Sequence, residues 1–329
     1  MFLGVLFFPI IMICFLITFS MTPKWIKRAH IEKLVSRDVH KNDGKKVAEG
    51  GGVVVLTGFA VGIFLYIAVK TFLFQDERNL IEIFGLLGVL LFVSIVGMID
   101  DLLGWKKGLS KRTRIILLLF SAVPLMVLNV GESTVLGINF GIFFPLIIVP
   151  LAITGATATY NFLAGYNGLE ASQGIILLSA LTIVNFIEGN LWLSLITTCM
   201  IASLIAFYLF NKYPAKIFPG DMLTYSIGAM IACIAILGDM EKIVLFFFIP
   251  YILEMLLKLR GRLKKESFAK LNKDGSLEPP YEKVYGLEHI ALKLLKKIKP
   301  SKKVYEWEIP LVINIFQITI IIIGFFIFL

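Results

Sequence analysis

The sequence predicts an all-α polytopic membrane protein of about ten transmembrane helices, with both termini extracytoplasmic and its polar clusters gathered on the cytoplasmic face. Three observations predict it. Hydrophobic residues make up 58% of the chain at a mean hydropathy of +0.86, they come in blocks of span length, and the cations fall between alternate blocks. Soluble domains are roughly 45 to 50% apolar, so a soluble core has no use for this excess.

Blocks of about 20 apolar residues cross a hydrocarbon core of about 30 Å at a rise of about 1.5 Å per residue. Ten such blocks lie near residues 2–20, 53–73, 80–99, 114–129, 141–159, 171–187, 191–210, 222–238, 242–258 and 310–329. Lys and Arg in short loops are retained on the cytoplasmic side. They follow the first block (Lys24 to Lys46), the third (Lys106, Lys107, Lys111, Arg112, Arg114), the seventh (Lys212, Lys216) and the ninth (Lys258 to Lys303). Of the 32 Lys and Arg, only Lys70, Arg78 and Lys242 remain for the opposite face. One missed or extra span would reverse half of these loops, so the asymmetry supports ten. The loop after the fifth block, 160–171, carries no cation but falls on the cytoplasmic side by parity.

The net charge of +9 therefore belongs mainly to one membrane face. There it can meet anionic headgroups and phosphorylated substrates; nucleic-acid binding is the weaker reading, and no nucleic-acid partner is expected. Cys14, Cys199 and Cys233 fall within apolar blocks without paired spacing, which fits packing rather than a disulfide framework or a zinc site. No cleavage signal follows the first block, which is expected to stay in the membrane.

The whole chain, 1–329, reads as one integral membrane domain with a cytoplasmic insertion at about 260–308. Within that insertion Asn272-Lys273-Asp274-Gly275 has the chemistry of a tight turn, and an extended segment is expected around 271–281. Between Tyr285 and Ile298, Leu287, Ile290, Ala291, Leu294 and Leu295 recur at helical spacing against Lys293, Lys296 and Lys297. Such a basic amphipathic helix suits a membrane surface. Glu254, inside the ninth block, is expected to face the protein interior.

Polar clusters end three apolar blocks on the same side. An Asp costs about 2.5 to 3.5 kcal/mol at the centre of a membrane helix, so repeated placement at one depth suggests a site. Asp100-Asp101 closes the third block. Two carboxylates at about 4 Å repel by about 4 kcal/mol at an effective dielectric of 20, so a cation is expected beside them, and magnesium carried with a diphosphate suits carboxylate oxygens. Asn161-Phe-Leu-Ala-Gly165-Tyr-Asn167-Gly168-Leu-Glu170 offers an amide oxygen for a hard cation and glycines that let a ligand approach the backbone. Pro219-Gly220-Asp221 brings a third carboxylate, also well suited to capping a helix. Arg260-Gly261-Arg262 adds two guanidiniums that can hold phosphate oxygens bidentately.

In this order the clusters resemble the polyprenyl-phosphate N-acetylhexosamine-1-phosphate transferase superfamily over nearly the whole chain. The stretch from Asn161 to Glu170 is most similar to its dolichyl-phosphate N-acetylglucosamine phosphotransferase branch, in which the pattern is Asn-x-Leu-Ala-Gly-x-Asn-Gly-Leu-Glu. The bacterial branches usually carry aspartates where this chain has Ala164 and Asn167. The resemblance implies that Asp100 and Asp101 are the catalytic acidic pair, that Asn161 and Asp221 hold Mg²⁺, and that Asn167 contacts the uracil of the donor. It further implies that Arg260 and Arg262 contact the diphosphate and sugar, although Gly261 stands where the family often has a histidine. Lys111, or alternatively Arg114, takes the place of a catalytic lysine after the acidic pair. Glu49, in Val47-Ala48-Glu49-Gly50-Gly51-Gly52, is similar in position to the Glu of the family's Pro-Glu-Ser-Gln-Gly segment and is expected to contact the nucleotide. His30, His40 and His289 match nothing in the pattern.

The reaction implied moves N-acetylglucosamine 1-phosphate from UDP-N-acetylglucosamine (UDP-GlcNAc) to dolichyl phosphate with release of UMP, the first step in building a lipid-linked glycan for N-glycosylation. Another UDP-N-acetylhexosamine or polyprenyl phosphate is the alternative within this chemistry. The competing class is a transporter of a phosphorylated solute, which would put polar groups at span centres and show repeat symmetry. The partners expected are the two substrates and the bilayer, with a homodimer left open. The expected location is the plasma membrane, with the endoplasmic reticulum as the alternative.

Overall fold

The computed structural model describes residues 2–42, 44–103, 108–129, 131, 134–135 and 137–329, with their side chains from residue 7 onward except that of Val135. Gly104, Lys106 and Lys107, read above as the end of the acidic motif and two of the cytoplasmic cations, lie outside the described residues. In chain order the elements are α1 (Phe2–Ile31), β1 (Val35–Arg37), β2 (Lys46–Ala48), α2 (Gly52–Ala68), α3 (Leu80–Leu103), α4 (Lys111–Ser121) and α5 (Val123–Leu128). There follow β3 (Thr134–Val135), β4 (Ile138–Asn139), α6 (Val149–Phe162), α7 (Leu169–Ile187), α8 (Leu191–Asn211) and α9 (Gly220–Leu237). The chain closes with α10 (Glu241–Phe247), α11 (Ile249–Arg260), β5 (Lys270–Leu271), β6 (Leu277–Glu278), α12 (Leu287–Ile298) and α13 (Glu308–Phe328). Single π-helical turns, Val69–Leu73 and Phe144–Ile148, extend α2 and precede α6.

Among the described residues, eight helices are long and apolar enough to cross a membrane, against the ten spans expected. The other two expected spans, 114–129 and 242–258, are each broken. Proline lacks an N–H and its ring crowds the preceding turn, so Pro124 separates α5 from α4 and Pro250 separates α11 from α10. The result is a predominantly helical, polytopic membrane architecture.

Helix α9 is its axis. In the window that best fits a span, 78% of α9 is buried, against 22% in α1 and α13, which expose rows of Phe, Ile and Leu at the periphery. An axial helix in a membrane needs small residues, because close backbone approach replaces the hydrophobic driving force available in water. A Cβ on Gly228 would lie 2.7 Å from Ala156 O on α6, and one on Gly97 of α3 would lie 2.5 Å from Met222 Cα on α9. Those two crossings bring the end of α3, the end of α6 and the start of α9 to one place. The three cysteines are buried free thiols, as their apolar setting led us to expect.

The polar segments close over this place from one side. Strands β1 and β2 pair antiparallel with Val35 opposite Ala48, and Ala48 then receives Phe218 N at 2.8 Å. Gly51 N and Gly52 N donate to Phe218 O and Pro219 O, both at 2.9 Å, so the glycine run after Glu49 lies against the chain entering α9. In the insertion, the turn read at 272–275 joins β5 to β6, and α12 forms where the periodicity put it. Glu254 is fully buried, 3.2 Å from Lys258 Nζ, and accepts Leu287 N at 2.6 Å, which seats α12 on α11.

Candidate functional site

Asp101 is the keystone of the site. Its two carboxylate oxygens accept Asp221 N at 2.7 Å and Met222 N at 3.2 Å, so a side chain at the end of α3 satisfies the first N–H groups of α9. Those N–H groups have no partner within their own helix and carry the positive end of its dipole, which suits a carboxylate. Gly220 makes the arrangement possible. Its φ of +73° is in the left-handed region, and a Cβ there would fall within the van der Waals envelope of Asp101 Oδ2.

Its neighbour Asp100 is buried and points elsewhere. Its Oδ1 accepts Leu109 N at 2.6 Å, and its Oδ2 accepts a hydrogen bond from Arg114 Nη2. The same guanidinium nitrogen lies 3.8 Å from Asp221 Oδ2, and its carbon lies 5.8 Å from the Tyr225 ring centroid. Tyr225 donates its hydroxyl to Asp221 Oδ2 at 3.2 Å. Arg114 reaches this spot because Ser110 caps α4, accepting Thr113 N at 3.2 Å, and fixes where the helix begins. Asn161, at the end of α6, joins the group through Thr224, whose hydroxyl donates to Asn161 Oδ1 at 2.8 Å.

Of these groups Asn161, Gly220, Asp221 and Thr224 line a cavity of about 760 Å³, large enough for a nucleotide-sized ligand. One wall is 36–39 with Glu49, a second runs from Asn161 to Asn167, a third is 218–221 with Thr224, and Phe268 of the insertion leans over the opening. Glu49 accepts a hydrogen bond from Ser36 Oγ through its side chain and one from Trp25 Nε1, at 2.8 Å, through its carbonyl. The turn between α6 and α7 is shaped by Glu170, whose Oε1 accepts Gly165 N at 2.8 Å. Gly165, at φ +107°, faces Phe268 so closely that a Cβ would lie 2.7 Å from that ring.

The structure thus brings together Asp100, Asp101, Asn161, Asp221 and Glu49 from four separate stretches of sequence. It treats the other expected site residues differently. Asn167 lines the cavity, but its amide is fully engaged: Nδ2 donates to Asp38 Oδ2 at 3.1 Å and to Glu306 Oε1 at 2.5 Å, and Oδ1 accepts Lys41 Nζ at 3.1 Å and Ala215 N at 2.6 Å. Lys111 is exposed and donates to Leu263 O at 2.9 Å, away from the acidic pair. Arg260 and Arg262 are exposed and do not line the cavity. Arg260 lies 6.0 Å from the Tyr285 ring, and the 260–263 turn is tied to the start of α4 by the Lys111 contact.

The sequence reading singled out neither Thr224 nor Phe268. Thr224 follows Asp221 by three residues, one helical turn, and that spacing was its only signal. Phe268 had none, because it comes from a remote insertion.

The donor set is hard oxygen: the carboxylates of Asp100, Asp101, Asp221 and Glu49 and the amide oxygen of Asn161. Among the described residues, Arg114 is the cation that reaches Asp100 and Asp221. Excess negative charge on oxygen donors beside a roomy cavity fits magnesium carried with a phosphorylated ligand, and does not fit a soft metal.

Comparison with known proteins agrees with this chemistry. The model of glycosyl transferase family 4 matches residues 83–239, which spans the acidic pair, the Asn161–Glu170 turn and Asp221. A protein of Saccharolobus solfataricus, provisionally named a UDP-N-acetylglucosamine–dolichyl-phosphate N-acetylglucosaminephosphotransferase, is 38% identical over 86% of this chain and 87% of its own length. The Dictyostelium discoideum protein of the same activity name is 29% identical over 73% of this chain and 68% of its own. A phospho-N-acetylmuramoyl-pentapeptide-transferase of Streptococcus pyogenes is 29% identical over 74% of this chain and 76% of its own.

Proposed function

The chain belongs to glycosyl transferase family 4, and from that premise we propose that it is a glycosyl-1-phosphate transferase moving N-acetylglucosamine 1-phosphate from UDP-GlcNAc to dolichyl phosphate. The observation that carries the reading is the convergence of Asp100 and Asp101 on the start of α9, whose Asp221 lines the cavity together with Asn161.

In the reaction an oxygen of the lipid phosphate attacks the sugar-bearing phosphorus of UDP-GlcNAc. The bond from that phosphorus to the bridging oxygen breaks, and UMP departs with the bridging oxygen. A phosphate monoester with a second pKa near about 6 is mostly dianionic at neutral pH, so no proton has to be removed first. The hydrogen bonds of Asp101 support a positioning role, since both its oxygens accept α9 N–H groups. Asp101 fixes α9 against α3 and so sets where Asp221 stands. Asp100 orients Arg114, whose charge lies between Asp100 and Asp221 and can stabilise negative charge developing on the diphosphate. Asn161 and Asp221 would hold magnesium, which when bound supplies Lewis-acid polarisation of the diphosphate. The cavity beyond them accommodates the nucleotide, with Glu49 and the Asn161–Asn167 turn as its walls.

In this reading the broken helices α4–α5 and α10–α11 complete ten spans, both termini are outside, and the cavity opens to the cytoplasm. The cation distribution supports that orientation. The short loops and the Ile-, Phe- and Lys-rich composition support the plasma membrane as its location. Purified protein incubated with UDP-GlcNAc, dolichyl phosphate and Mg²⁺ is expected to release UMP only when lipid and metal are both present. Absence of UMP from folded protein across several UDP-sugars and polyprenyl phosphates would overturn the reading in favour of a transporter. Asp101→Ala is expected to keep donor binding by calorimetry while losing turnover by about 10²- to 10³-fold, the scale of losing one preorganised electrostatic group.

A further inference from the structure

At the 36–39 wall of the cavity, outside the chemistry above, lie three buried ionisable side chains, of which Asp38 lines the cavity. Asp38, His40 and Glu306 are 3%, 5% and 3% exposed, and one ligand-type atom from each lies within 4.8 Å of the others. By composition such a trio suits a metal ion. Its hydrogen bonds point another way. Ala269 N donates to His40 Nε2 at 3.2 Å, so the lone pair of that nitrogen is taken and the ring proton sits on Nδ1. Nδ1 faces Glu306 Oε1 at 3.6 Å and, bearing the proton, has no lone pair for a metal. Lys41 Nζ, 2.7 Å from Asp38 Oδ2, already brings a positive charge to the cluster.

What the trio does hold is Asn167. Glu306 Oε1 accepts Asn167 N at 3.0 Å as well as its side-chain amide, and Asp38 Oδ2 accepts the same amide. His40 also stacks on Tyr166, with ring centroids 4.5 Å apart, and Tyr166 donates its hydroxyl to Ser267 O at 3.3 Å. Burial pushes the Tyr166 phenol well above its usual pKa, which keeps it a donor. Asn42 Nδ2 adds a bond to Asn272 O at 3.0 Å. The fastened segment 267–269 includes Phe268, the ring that leans over the cavity against Gly165.

We propose that Glu306 is a positioning residue for the donor site: through Asn167 and His40 it latches the 260–308 insertion to the α6–α7 turn and so fixes the cavity wall made by Asn167 and Phe268. The inference rests on the reading of the cavity as the UDP-GlcNAc site. It assigns donor affinity, and not the phosphoryl transfer itself, to a residue just before the last span.

The test is steady-state UMP release by the full-length protein with each substrate varied. Glu306→Ala is expected to raise KM for UDP-GlcNAc by about tenfold or more, as fits the loss of hydrogen bonds to a charged group. On the same scale kcat and KM for the lipid stay within about threefold, and Glu306→Gln, which keeps an oxygen for Asn167, restores KM to within about threefold. A fall in kcat at unchanged donor KM, or wild-type behaviour of Glu306→Ala, would overturn the proposal. Should Glu306→Ala not fold, His40→Asn serves: its amide reaches the Nδ1 position and keeps the approach to Glu306, but it cannot accept Ala269 N. An increased donor KM supports the latch, and an unchanged one overturns it. Metal analysis of the purified protein adds an independent arm, since a stoichiometric transition metal lost in His40→Asn would make the trio a metal site and overturn the latch. Wild-type protein that releases no UMP from UDP-GlcNAc defeats the functional reading, whereas an active wild type with an unaffected Glu306→Ala defeats this inference alone.

Discussion

Replacing Arg114 with alanine is expected to cut lipid-dependent UMP release by about 10³-fold, while Lys111→Ala stays within about tenfold of the wild type. The contrast follows from where the two side chains end. Arg114 Nη2 bonds Asp100 and stands 3.8 Å from Asp221, whereas Lys111 Nζ is spent on Leu263 O. Without the guanidinium, Asp100 is left buried with no counter-charge and only the Leu109 N hydrogen bond, a change of the kind that costs roughly 3 to 5 kcal/mol for a fully buried pair and less here because Arg114 is partly exposed. Arg114→Lys should recover little, since a compact, strongly hydrated ammonium does not reproduce the planar guanidinium that meets Asp100 and lies over the Tyr225 ring. Comparable losses in Lys111→Ala and Arg114→Ala would show that the lysine, as first read from the sequence, shares the site after all.

Gly220→Ala is expected to lose both stability and turnover, by about 10²-fold in UMP release and by roughly 5 °C or more in midpoint temperature. A residue with a Cβ at φ +73° costs about 1 to 2 kcal/mol of backbone strain, and here the Cβ also meets Asp101 Oδ2. Asp101 can yield only by giving up Asp221 N or Met222 N, each worth about 1 kcal/mol as a helix cap. Gly275→Ala provides the control: its φ is +81° but nothing lies within 4 Å of its Cβ position, so it carries the strain without the collision. Scanning fluorimetry of the two variants in the same detergent separates these contributions. Equal shifts would mean that the Asp101 contact contributes nothing.

The features visible in the sequence were those governed by local chemistry. Hydropathy located the long helices, the Asn272–Gly275 turn and α12 followed from turn residues and helical periodicity, and burial of Glu254 followed from the cost of exposing a carboxylate to lipid. The acidic and amide clusters were legible because polar groups at one depth of a membrane are expensive. Pairings across the chain were not legible. Arg114 and Lys111 lie on one helix, and only the capped start of α4 decides which of them faces Asp100. Proline at 124 and 250 was in plain view, but the reading spent it on hydropathy and missed the breaks. His40 matched no motif because its partners, Ala269 and Glu306, are 229 and 266 residues away in sequence.

That last separation bears on how the protein is made. Glu306 stands two residues before α13, the final apolar helix, and it reaches back to Asn167 while Phe268 leans over the opening. A nascent chain can therefore have threaded every earlier helix into the bilayer, acidic pair and Asp221 included, and still lack one wall of the chamber. The wall is completed only after the segment around Glu306 has been synthesised and has folded back onto the α6–α7 turn.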